Sequence, residues 1–96
     1  MDFQVLYTKS ALADLEELIG RSWQEYPGTT QRFGTALLNH VDLLKTFPRL
    51  GTPAEDYPGV RRMLHSPLYI YYRVLPETKR IDILHFWHVS RRPPRT

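Results

Sequence analysis

The spacing of apolar residues changes once along this chain, and that change constrains the fold more than any other feature. Up to residue 47 the spacing is helical. Leu12, Leu15, Ile19, Trp23 and Tyr26 follow at intervals of 3, 4, 4 and 3, and Phe33, Leu37, Val41, Leu44 and Phe47 at 4, 4, 3 and 3. Residues so spaced share one face of a helix. Beyond residue 60 the period is two. In "LYIYYRVL" Leu68, Ile70, Tyr72 and Val74 alternate onto one face; in "IDILHFWHV" Ile81, Ile83, His85, Trp87 and Val89 do so, opposite Asp82, Leu84, Phe86 and His88. Such alternation is the mark of strands with two different faces.

Local signals divide these blocks. "FQVLYT" (residues 3–8) is a short β-prone run, and Ser10 offers a hydroxyl to cap the first helix. Gly20 inside that helix weakens it by roughly 1 kcal/mol relative to alanine. "PGTT" at 27–30 breaks the pattern, a second helix is expected from about Thr30 to Phe47, and Pro48 stops it. "PRLGTPAEDYPG" (48–59) reads as loop, and "VRRML" (60–64) as a strand before the two longer ones. The expected order is β-α-α-β-β-β. A helix hairpin packs on one side of a small antiparallel sheet, an α+β fold. Residues 1–96 form one domain, with a tail from about Ser90.

Composition removes several function classes. The absence of cysteine excludes disulfides, thiolate metal sites and thiol catalysis, and fits a reducing cytoplasm. "MDFQVLYTKS" lacks the basic and apolar regions of a signal peptide. No apolar run approaches membrane-spanning length, so no membrane role is expected. Charge is divided unevenly. Residues 1–58 carry five Lys/Arg against eight Asp/Glu, and residues 59–96 eight against two, so halves of −3 and +6 make up the net +3. The basic half suits nucleic acid or an acidic protein partner.

Few residues are equipped for chemistry. Of the four histidines, His85 and His88 stand three apart on a strand and so point to opposite faces. With no helical His pair at i,i+4, no metal is expected, and no phosphate-cradling or nucleophile motif is present, so no cofactor is expected either. Attack of a ribose 2′-hydroxyl on its phosphate needs a base, an acid and cations. Glu55 and His88 are candidates for the first two roles, and Arg61, Arg62, Arg73, Arg91 and Arg92 for the third. Trp23, Tyr26, Tyr69, Tyr71 and Trp87 are residue types that anchor protein interfaces.

The phrases "ALADLEEL", "LLKTFPRLGTPAED" and "GVRRMLHSPLYIYYRVLPETKRIDILHFWHVSRRP" together resemble the RelE/ParE superfamily of type II toxin–antitoxin toxins, most closely its ParE or plasmid-stabilisation branch. The resemblance spans about residues 3 to 93. It implies the same helix-hairpin fold and a small bacterial toxin that arrests growth and is neutralised by an antitoxin, whose tail is commonly acidic. RelE-like members cut mRNA on the ribosome; ParE-like members act on DNA gyrase. Where RelE-like nucleases carry an important Arg on a strand, this chain has Ile70, and no Tyr follows the last strand. The His-x-x-Arg ending, His88 with Arg91, occurs in both branches. The resemblance therefore implies a toxin that acts by binding, with gyrase as target and Arg61, Arg62, Arg73, His88, Arg91, Arg92, Trp23 and Tyr26 as contact candidates. The alternative is a ribosome-dependent mRNA interferase with Glu55, Arg61, Arg73, His88 and Arg91 as its catalytic candidates.

Overall fold

The computed structural model describes residues 2–94. Strand β1 (Gln4–Tyr7) leads into helix α1 (Lys9–Glu25) and helix α2 (Pro27–Asp42), which tightens into a 3₁₀ turn at Leu43–Lys45. Then come β2 (Thr52–Pro53), β3 (Arg61–His65), β4 (Leu68–Leu75) and β5 (Arg80–His88). The sheet order is β1-β5-β4-β3-β2. The β3–β4–β5 meander is antiparallel as expected. At one edge β1 runs parallel to β5, and at the other the short β2 forms within the stretch read as loop.

The helices cover one face of the sheet. Their Ala11, Leu37, Val41 and Leu44 meet Met63, Leu68, Ile70, Tyr72, Ile81, Ile83 and Phe86 in the main core, all buried. Ile70, where a RelE-like nuclease would carry its Arg, is fully buried here.

Several sequence expectations are corrected. The cap of α1 is Thr8, not Ser10: its Oγ1 accepts from Ala11 N–H at 3.1 Å and donates to the Ile83 carbonyl at 2.7 Å. One hydroxyl thus starts the helix and ties it to β5, which Ser10, already inside the helix, cannot do. The second helix begins at Pro27, because proline at the first helical position gives up no intrahelical bond. On α1 the apolar stripe read from the sequence is not the core-facing one. The core takes Ala11, Leu15 and Leu18, while Leu12, Trp23 and Tyr26 remain 52%, 51% and 63% exposed. Two overlapping helical stripes exist, sharing Leu15, and the small Ala11 fits the close approach of helix to sheet.

The alternation along β5 is also broken. Tyr71 pairs with His85 but Tyr72 with Ile83, leaving Leu84 as an extra, bulged residue. Ile81 and Ile83 face the helices, and so does Phe86 rather than His85. Leu84 and Trp87 join Ala54, Tyr57, Val60, Tyr69 and Tyr71 in a second, smaller cluster on the opposite face. Nor does the tail hang free from Ser90, since Pro94 is fully buried.

Candidate functional site: a cationic aromatic face and an apolar helix stripe

The sheet face away from the helices is built by alternation. Arg62 pairs with Tyr71 and Leu64 with Tyr69, so these side chains stand on that face with Trp87 and Arg73. The Arg62 guanidinium lies 4.2 Å from the centre of the Tyr69 ring, and Arg91 lies 4.1 Å from that of Trp87. Each is a cation held over an aromatic face. Arg62 is held above its ordinary pKa, chiefly by the Tyr71 side chain, with burial opposing and Tyr69 and Glu55 assisting.

The C-terminal residues complete this face. The Trp87 indole N–H donates to the Arg92 carbonyl, which folds the chain back over the sheet. Pro93 then reaches a cavity of about 340 Å³ lined also by Glu55, Asp56, Tyr57, Arg62 and Tyr71. "RRPP" is therefore a strap folded back and anchored by the buried Pro94, with Arg91, Arg92 and Pro93 still exposed. Of its two cations, Arg91 is held over Trp87, while the Arg92 side chain is exposed.

Not all candidates gather here. Arg61 and Arg62, adjacent in sequence, are separated by the sheet. Arg61 pairs with Tyr72 and lies on the helix side. Its Nη2 donates to the carbonyls of Gly51 at 2.7 Å and Arg49 at 3.3 Å, which holds the 49–51 loop, while its Nε is buried without a partner. Arg61 is thereby committed to structure. His88 pairs with Leu68, again on the helix side. Its Nδ1 accepts from Ser90 N–H at 3.1 Å and lies 2.7 Å from the Ser90 hydroxyl. Glu55 borders the opposite face, so the proposed acid and base do not converge.

The second surface is α1. Leu12, Leu15, Ile19 and Trp23, with Gly20 between them, line an open apolar groove of about 380 Å³. Tyr26 follows at the hairpin junction, where it caps neither helix with its side chain. A stripe of large apolar residues left in water on a small domain marks a contact surface.

Two side-chain pairs escaped the sequence reading. His85 Nδ1 lies 2.8 Å from Asp14 Oδ2, joining β5 to α1, with both side chains mostly buried. His40 Nδ1 lies 2.8 Å from His65 Nδ1, joining α2 to β3. Partners 71 and 25 residues apart leave no local spacing to detect. Among the described residues no group of three or more His, Cys, Asp or Glu is placed to hold a metal, and no helix is long and apolar enough to cross a membrane.

The model of the "ParE toxin of type II toxin-antitoxin system, parDE" family matches residues 5–93. The chain belongs to the ParE toxin family. That match takes in both helices, all five strands except the first residue of β1, and the strap up to Pro93. Among solved structures, this ParE toxin is similar to a chain of a chromosomal ParDE toxin–antitoxin system from P. aeruginosa, with TM-score 0.77 and 25% identity over 92% of this chain and 97% of that one. It shares its fold with a chain of a RelBE toxin–antitoxin complex from Mycobacterium tuberculosis, with TM-score 0.65 and 22% identity over 92% and 99%. No curated protein sequence matches.

Proposed function

We propose that this ParE toxin arrests growth by binding DNA gyrase and is neutralised by a cognate antitoxin. The observation that carries the binding mode is the separation of the candidate acid and base. Glu55 borders the outer face, whereas His88 sits on the helix side with its Nδ1 engaged by Ser90. General acid–base cleavage needs both within hydrogen-bond reach of one phosphate. Arg62, Arg73, Arg91 and Arg92 remain as contact residues for the target, with Arg62 and Arg91 already held in place over aromatic rings.

The antitoxin reading rests on the toxin–antitoxin setting of the P. aeruginosa relative and on two surfaces suited to an amphipathic, acidic segment. Such a segment would lay apolar residues along Leu12, Ile19 and Trp23 and its carboxylates against the basic half of the chain. A supercoiling assay with purified gyrase tests the function. Inhibition at micromolar toxin that is relieved by the antitoxin is expected. Full supercoiling together with ribosome-dependent mRNA cuts would establish the interferase alternative instead.

A further inference from the structure

The strap after β5 carries two consecutive prolines. Arg92 and Pro93 each precede a proline, which holds both in extended or polyproline II backbone, and each proline ring fixes its own φ. A segment in that conformation makes no internal hydrogen bonds, so its carbonyls stay free for outside donors. Its polar anchors are those of a docked peptide. Arg91 N–H donates to the His88 carbonyl at 3.0 Å, the Trp87 indole N–H donates to the Arg92 carbonyl, and the Arg91 guanidinium lies over the Trp87 ring. Pro94 is fully buried.

The surface that receives the strap is aromatic and braced. Tyr57, Tyr69, Tyr71 and Trp87 belong to one cluster on the outer face of the sheet. Tyr57 and Tyr69 meet the Tyr71 ring edge-on at 6.3 and 6.2 Å, and His85 meets Trp87 in the same way at 5.5 Å. The walls are thus in place before any ligand arrives. The indole N–H is a donor only, and it stands where a free carbonyl of an extended segment can take it. Pro93 borders the cavity of about 340 Å³ together with Tyr57 and Tyr71, while Glu55 and Asp56 stand exposed at its rim. Aromatic walls suit proline rings, and rim carboxylates suit basic side chains. Aromatic-lined grooves take proline-rich segments by the same means. The cavity beside Pro93 is room that the strap does not fill.

We propose that this face is a docking groove for an extended, basic, proline-bearing segment of a partner protein, and that the chain's own strap is a resident ligand which the partner displaces. The segment already seated there has that chemistry, and an acidic segment would meet Glu55 and Asp56 at the rim. Displacement also frees Arg91 from Trp87. The groove does not depend on which target the toxin binds.

The test uses the full chain and the acetylated peptide Arg-Arg-Pro-Pro-Arg-Thr, with Arg-Arg-Gly-Gly-Arg-Thr as its control. Fluorescence anisotropy of labelled peptide gives affinity, and the indole N–H signals in nuclear magnetic resonance give the place. In the parent the strap competes at an effective concentration on the order of millimolar, so the proline peptide should move the Trp87 signal at millimolar concentration. The double variant Pro93→Gly, Pro94→Gly loosens the strap and should bind the proline peptide about tenfold or more tightly than the parent does. Adding Trp87→Phe to that variant removes one hydrogen bond and should weaken binding about fivefold. Circular dichroism shows whether each variant stays folded; should one unfold, the movement of the parent's Trp87 signal by the proline peptide and not by the glycine peptide decides. The proposal is overturned if the Trp87 signal stays still, if the glycine peptide or a polyglutamate peptide binds equally well, or if Trp87→Phe changes nothing. Dimerisation of the parent through its straps, seen by sedimentation and lost in the glycine variant, would overturn it in favour of a second copy as the occupant.

Discussion

Replacing Trp23 with alanine separates an interface residue from a core residue, and its size can be worked from exposure. A tryptophan side chain buries roughly 150–250 Å² when fully covered. Trp23 is 51% exposed, so a partner lying on α1 would remove about 100 Å² more from water. At about 25 cal/mol per Å² that amounts to about 2.5 kcal/mol of association free energy, or close to 100-fold in Kd. The half already covered in the free toxin is lost as well, so the variant's stability falls by a similar amount. Binding must therefore be measured well below its melting temperature. The assay is calorimetric titration of the purified toxin with its antitoxin, comparing wild type, Trp23→Ala and Phe47→Ala. Phe47 is a suitable control because it is 57% exposed but sits after the second helix, beyond the α1 groove. A loss of about 100-fold at Trp23 with little change at Phe47 is expected. Equal affinities for Trp23→Ala and wild type, or a larger loss at Phe47, would refute placement of the antitoxin on α1.

Three further outcomes follow from the same geometry. Tyr72→Phe keeps the packing but leaves the buried Gly51 N–H, which donates to Tyr72 Oη at 2.9 Å, without a partner; a loss of about 1–3 kcal/mol is expected, seen as a Tm lower by about 4–20 °C. His65 has a lowered pKa when folded, so the unfolded chain binds its proton more readily; in metal-free buffer the stability tied to this group is complete above about pH 6.5 and falls as pH drops below it, and urea titrations of wild type should show that decline while those of His65→Gln show less of it. His88→Ala should leave growth arrest intact, since its Nδ1 only receives Ser90 and it lies across the sheet from Glu55; loss of toxicity with antitoxin binding preserved would revive the interferase reading.

The meander and the second helix could be read from sequence because their signals are local. Leu37, Val41 and Leu44 repeat at helical spacing and are buried as that spacing implies. The run from Leu68 to Leu75 forms β4 with the expected bounds. What escaped depends on tertiary contacts. The face of α1 is chosen by which stripe can approach β5 closely, and Ala11 wins over the larger Leu12. The parallel pairing of β1 with β5 joins residues about 75 positions apart. Of the proposed contact residues, Arg62 and Arg91 gained fixed positions, whereas Arg61 proved to be occupied by the carbonyls of Arg49 and Gly51. Nothing in the doublet "RR" says which arginine points where until the strand pairing is known.

The bulge at Leu84 sets the phase of everything after it. Pairing the same residues without the bulge would restore strict alternation past Ile83 and exchange the sides of the strand's remainder. Phe86 would leave the core and Trp87 would enter it, and the strap would depart from the helix side, out of reach of Arg62. In a family of such toxins, length between the start of β5 and its final arginines should therefore vary less freely than the residues themselves. A single-residue insertion there would do more harm than most substitutions.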